Sequence, residues 1–127
     1  MAQAMKSQPR VFKTAWFAKA AKKAGIADSE LCACIEEAAR GHVDDLGGGA
    51  FKIRLNKNMH RAILLTKSGQ WWKFEYLFAK NIRENIAKDE LLQFRELVKA
   101  CVKLNEKQVQ QLIDGKDFVE ICHGNKG

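Results

Sequence analysis

Phe51, Ile53 and Leu55 alternate with Lys52 and Arg54, and further on Trp72, Phe74, Tyr76 and Phe78 alternate with Trp71, Lys73, Glu75 and Leu77. A period of two suits extended backbone, where successive side chains point to opposite faces. Strands are therefore expected over the first of these runs, over His60 to Lys67, and over Trp71 to Phe78. Asn56 to Met59 reads as the first connecting turn and Ser68-Gly69 as a short hairpin turn. This alternation places Lys52 and Arg54 on one face. It places Trp72, Phe74, Tyr76 and Phe78 together on a core face.

The same stretch carries the charge. Between Ala50 and Arg83 stand eight basic residues (Lys52, Arg54, Lys57, Arg61, Lys67, Lys73, Lys80, Arg83) and one acid, Glu75. The flanking segments nearly cancel, so the formal net charge of +7 is one local patch. A sheet with cations on one face and apolar packing on the other suits a polyanion such as RNA or DNA.

The flanks read as helices. Trp16, Phe17, Ala20, Ala21 and Ala24 recur at helical spacing and predict a buried stripe that ends at Gly25. Leu31, Ile35, Ala38 and Ala39 predict a second helix, capped by Asp28 or Ser29 and ended by Gly41. Val11 to Thr14 reads as a short edge strand before this helical hairpin. Gly47-Gly48-Gly49 breaks the helical pattern. Downstream, Asn81 with Glu84 resembles a capping box, and a stronger helix is expected from Asp89 to Leu104. Asn105 with Gln108 repeats the box for a short helix ending near Gly115. Phe118 to Ile121 reads as a last short strand. The expected class is α+β, with an N-terminal helical hairpin packed on a small twisted antiparallel sheet and helices after it.

At 127 residues, 46% hydrophobic and 29% charged, the chain can bury one core without staples. One domain is expected over residues 11–122, with flexible ends at 1–10 and 123–127. The apolar runs are far shorter than the ~20 residues a membrane span needs, and Met1 to Arg10 lacks a signal peptide's apolar core, so a cytoplasmic protein is expected. In that compartment Cys32, Cys34, Cys101 and Cys122 are expected as reduced thiols packed as small hydrophobes. Cys32 and Cys34 point to different sides of a helix, and Cys122-His123 has no partner at zinc-ligand spacing. No metal or cofactor is expected. His42 and His123 read as surface residues.

Leu46-Gly47-Gly48-Gly49, Lys52-x-Arg54, Arg61 on the next strand, and Phe78-Ala79-Lys80-Asn81 followed by Asn85-Ile86 together resemble the RelE/ParE toxin superfamily, in its RelE-like, phage-related branch. The resemblance runs from about Val11 to Cys122. It implies a small α+β toxin of a type II toxin–antitoxin system, neutralised by a cognate antitoxin, often one with a helix-turn-helix domain. Many relatives cleave mRNA on the ribosome, while others in the superfamily inhibit DNA gyrase. A basic nucleic-acid-binding module without activity is the third reading. One departure is the connection between the first two sheet strands, Asn56 to Met59, which is shorter than the Gly- and Arg/Lys-rich loop of that branch.

Metal-free RNA cleavage needs a base for the ribose 2′-OH, an acid for the leaving 5′-oxygen, and cations for the pentavalent phosphate. Arg54, Arg61 and Lys80 are the catalytic candidates. Lys52, Lys57, His60, Lys73, Tyr76 and Arg83 are the candidates for holding substrate. His60 is the one histidine of the basic segment, and imidazole is a residue type suited to proton transfer at neutral pH, but neighbours on a strand point to opposite faces, so His60 and Arg61 cannot share a site on a regular strand. Arg61 is preferred because it matches the family position. The plain structural reading of the same residues is a solvated sheet face, an aromatic core and a glycine turn.

Overall fold

Val11 and Phe12 point to opposite sides of an extended segment, yet both are buried, which a strand achieves inside a sheet that is covered on both faces. The computed structural model describes residues 9–67, 70–83 and 85–122. In chain order it contains β1 (Arg10–Thr14), α1 (Ala15–Ala24), α2 (Asp28–Ala39), β2 (Asp44–Gly47), β3 (Ala50–Leu55), β4 (His60–Thr66), β5 (Trp71–Ala79), α3 (Lys88–Val102), α4 (Glu106–Asp114) and β6 (Phe118–Ile121). The sheet order is β2-β3-β4-β5-β1-β6. Only β1 and β5 run parallel; the other neighbours are antiparallel.

The expected architecture is corrected on this evidence. The first element among the described residues is a strand, and it lies between β5 and β6, not at an edge. The sheet has six strands and is mixed, where a small antiparallel one was expected. Local periodicity identified the strand but carries no sign of its partner, which lies about sixty residues away in the register Val11↔Trp72.

Helices α1 and α2 cover one face of the sheet, where Phe17, Leu31 and Ile35 pack with Val11, Leu64, Trp72 and Phe74. The Phe17 and Phe74 rings lie 5.1 Å apart. Thr14 caps α1 by accepting from the Phe17 amide at 3.0 Å, and Gly25 ends the helix with φ 74°. The expected cap of α2 is corrected: Ala27 occupies the cap position, and Asp28 instead pairs with Lys13 at 2.6 Å. On the other face α3 lays Leu91, Phe94 and Val98 over Ala50, Ile63, Leu65 and Phe78. Asn105 and Gln108 form the expected reciprocal capping box of α4. The Ser68-Gly69 turn, Glu84 of the other box, and His123 lie outside the described residues.

Strand β5 does not keep one alternation. Its register with β4 runs Ile63↔Tyr76 and then Leu64↔Phe74, so Glu75 is an extra residue, a bulge. Trp72 and Phe74 therefore face α1 and α2, whereas Tyr76 and Phe78 face α3. The expectation of four aromatics on a single face is corrected by that one residue. Leu77 moves in turn to the α1–α2 side.

The cysteine expectation is also corrected. Cys32 of α2 and Cys122 just after β6 are joined as a disulfide, their Cα atoms 5.6 Å apart across 90 residues of sequence. Cys34 and Cys101 are free.

Gly49 enters β3 at φ +86°, and a Cβ there would sit 2.8 Å from the Thr66 carbonyl oxygen and 2.9 Å from Val98 Cγ1. Gly41 has a similar φ of +89° but open space around it. Gly41→Ala should cost about 1 kcal/mol from the backbone conformation alone. Gly49→Ala should cost clearly more, ~2–4 kcal/mol, because α3 must also move off the sheet. Urea midpoints compare them; equal losses would show that the approach of α3 is not tight.

Candidate functional site

Alternation puts Lys52 and Arg54 of β3 on the face that α3 covers, and the ladder sets their neighbours. Arg54 stands directly opposite Arg61, and Arg61 directly opposite Phe78. Lys52 stands opposite Ile63, which stands opposite Tyr76. Two parallel rows thus cross the sheet beside the N-terminal end of α3. Directly opposed residues of an antiparallel pair have Cβ atoms about 5 Å apart, so two like charges there repel. Arg54 is exposed, while Arg61 is only 8% exposed.

The β3–β4 turn holds Arg61 in this position. Its Nη1 donates to the carbonyl oxygens of Asn58 and His60, each at 3.1 Å. Asn56, Lys57 and Asn58 all have left-handed φ (55°, 55° and 71°), a conformation uncommon for lysine. The turn is tied down from below, where Glu30 of α2 accepts from the Asn56 amide. The Asn56 side-chain amide also lies 3.0 Å from His60 Nδ1. The short connection thus contributes its Asn58 carbonyl, and the first residue of β4 its own, to orienting one guanidinium.

Other cations of this face have internal partners. Lys52 Nζ donates to Asn85 Oδ1 at 2.7 Å and lies 4.0 Å from Asp44. Arg83 forms a two-pronged pair with Glu90, in the first turn of α3, and donates to the Asn85 carbonyl oxygen at 3.1 Å. Its guanidinium lies 5.6 Å above the Phe78 ring. The hydrogen bonds from Arg83, and then from the Ala87 amide, hold the Glu90 carboxyl below its ordinary range; Glu90 in turn raises Arg83 further. Tyr76 sits among Trp16, Phe78 and Phe94, with ring centroids 5.2, 5.8 and 6.0 Å away.

The remaining candidates separate from this group. Lys57, His60 and Lys80 surround an open depression at the end of the sheet, together with Asn58, Met59 and Asn81. His60 pairs with Leu55 and Ala79 on the ladder and so lies in the alternation opposite to Arg61. Lys73 is far from the arginines along β5. It is 4% exposed, with Nζ 2.9 Å from Glu75 Oε1, 3.2 Å from Cys101 Sγ and 5.1 Å from the Phe118 ring centroid.

The structure therefore brings together Lys52, Arg54, Arg61, Tyr76 and Arg83, sets Lys57, His60 and Lys80 around the adjoining turn, and leaves Lys73 apart. Sequence reasoning missed Glu90 and Trp16. Glu90 shows only as an acid in a helix's first turn. Trp16 fits the buried stripe by spacing but is 52% exposed. His42 gains a partner too, with Nδ1 2.6 Å from a Glu37 oxygen.

Chemically, the face can grip phosphate oxygens. Among the described residues no group of three His, Cys, Asp or Glu side chains is arranged to hold a metal ion. No helix among them is long and apolar enough to cross a membrane. The Cys34 thiol is pushed up to about 11, by burial first and then by Glu30 and Glu37, and so stays protonated at neutral pH.

A family model described as the RelE toxin of the RelE/RelB toxin–antitoxin system matches residues 9–121. No curated protein matches the chain.

The Arg83–Glu90 pair gives a pH signature. Because the folded pKa of Glu90 lies below its unfolded value of ~4.3, its contribution is complete above that value and is lost as pH falls through the folded one. The stability gap between wild type and Glu90→Gln should thus be full near neutrality and close in acid. Urea midpoints across that range measure it, and a gap independent of pH would show that the charge pair contributes nothing.

Proposed function

The chain belongs to the RelE toxin family and is a toxin of a toxin–antitoxin system, with an antitoxin as its implied partner; from that premise we propose that it is a metal-independent endoribonuclease that cuts mRNA on the ribosome. The observation that carries the reading is the opposed pair Arg54 and Arg61, kept on one face despite its repulsion, with Arg61 oriented by the carbonyls of Asn58 in the turn and His60 at the start of β4. A phosphate between two guanidiniums turns the repulsion into attraction, and each can present two donors to its oxygens.

In this reading the ribose 2′-OH attacks the adjacent phosphorus and the 5′-oxygen leaves, giving a 2′,3′-cyclic phosphate and a 5′-OH. Arg54 and Arg61 offset the charge that builds on the phosphate oxygens. Lys52 and Arg83 hold the flanking phosphates once their pairs with Asn85 and Glu90 give way. Lys80, Lys57 and His60, around the turn, receive the strand as it leaves the face. His60 belongs to the other alternation, and the Glu90 carboxylate is freed only when Arg83 moves to phosphate. Once released it can take the 2′-OH proton, and the proton for the leaving 5′-oxygen comes from groups supplied with the substrate, which is why the reading places the reaction on the ribosome.

Induction in bacteria with mapping of mRNA 5′ ends tests this. New ends inside translated codons are expected for wild type. Arg61→Ala should lower cleavage by about 10²–10³-fold while staying folded, the range seen when one oxyanion donor is lost. Arg61→Lys, which keeps charge but not the fork, should recover only part. Growth arrest with intact mRNA and a DNA-damage response would transfer the reading to gyrase.

A further inference from the structure

Trp16 is the largest apolar side chain of α1, yet that helix buries Phe17 and Ala21 and leaves Trp16 52% exposed. One face of its ring lies on Tyr76, with centroids 5.2 Å apart and planes 22° from parallel. The exposed half is therefore the opposite ring face and the edge. Tyr76 continues to Phe78 at 5.8 Å, and Phe78 is the ladder neighbour of Arg61. An unbroken line of rings thus leads from the arginine pair to an open indole plane. Phe94 packs on Tyr76 from above and fixes the stack at 6.0 Å.

We infer that Trp16 is a stacking platform for a nucleobase, taking a base further along the strand whose phosphate Arg54 and Arg61 hold. This deepens the RNA reading of the same face and rests on it. Cations at one end and a flat apolar surface at the other match the two parts of a nucleotide, and splayed single-stranded RNA is commonly held by aromatic stacking of this kind. The platform is pre-set because Tyr76 already orders the indole, so little side-chain freedom is lost on binding. Every base has a π-face, so the contact adds affinity without demanding one sequence.

The test measures binding of a short labelled single-stranded RNA to the full chain by fluorescence anisotropy over a salt series. A matching RNA with abasic sites serves as the second probe. Trp16→Ala should weaken binding to the intact RNA by about ten-fold or more, with the salt slope unchanged because phosphate contacts persist. Trp16→Phe should recover most of the affinity. On the abasic RNA, wild type and Trp16→Ala should bind alike. Arg54→Ala, in contrast, should lower the salt slope on both RNAs. Wild-type binding that Trp16→Ala leaves intact, or weakens equally on abasic RNA, would overturn the platform while the RNA reading stands. Wild type that binds neither RNA at low salt would overturn both.

Discussion

Strand β5 must serve two cores at once, and the position of every group in the site follows from how it does so. Trp72 and Phe74 close the face under α1 and α2, and Tyr76 and Phe78 close the face under α3. A regular strand cannot put all four where they are, because its alternation would keep them together. The extra residue at Glu75 changes the phase between the two pairs. Its carboxylate, the one acid of the basic segment, is taken up by Lys73 at 2.9 Å. The bulge thereby moves Tyr76 and Phe78 beside Arg61, on the face that Lys73 also shares, and Lys73 stays apart from the arginines only by its distance along β5.

The arginine pair is a local conflict that the surrounding structure sustains. Two opposed cations on a half-covered sheet face oppose folding, and so does a turn with three consecutive non-glycine residues in the left-handed region. The two features support each other, since that turn aims the Asn58 carbonyl at Arg61 while Glu30 holds the turn to α2. Local rules broken together, and repaired from three elements, mark a place where function constrains the sequence more than stability does.

Much of this was legible beforehand because it is written in short-range patterns. The alternation at Phe51–Leu55, the capping box at Asn105 and Gln108, the closing strand at Phe118–Ile121 and the opposite facing of His60 and Arg61 all depend on residues within a few positions of one another. What escaped depends on distance along the chain. The parallel pairing of β1 with β5 joins segments about sixty residues apart. The Cys32–Cys122 link joins segments 90 residues apart. Trp16 fits a helical stripe by spacing, and only the packing of Phe17 under Phe74 decides which of the two neighbours goes inside. Glu75 has no local mark at all, because a bulge in one strand is defined by the strand beside it.

The internal partners of Lys52 and Arg83 also set what the face will ignore. Asn85 and Glu90 already occupy these cations, so an incoming anion must displace them before it gains anything. A free nucleotide or inorganic phosphate meets this competition with a single contact. A polymer meets it with several phosphates on one backbone, and each displacement raises the effective concentration for the next. On the reading proposed above, Lys52 and Arg83 thus add to the grip only for a strand that offers several phosphates at once.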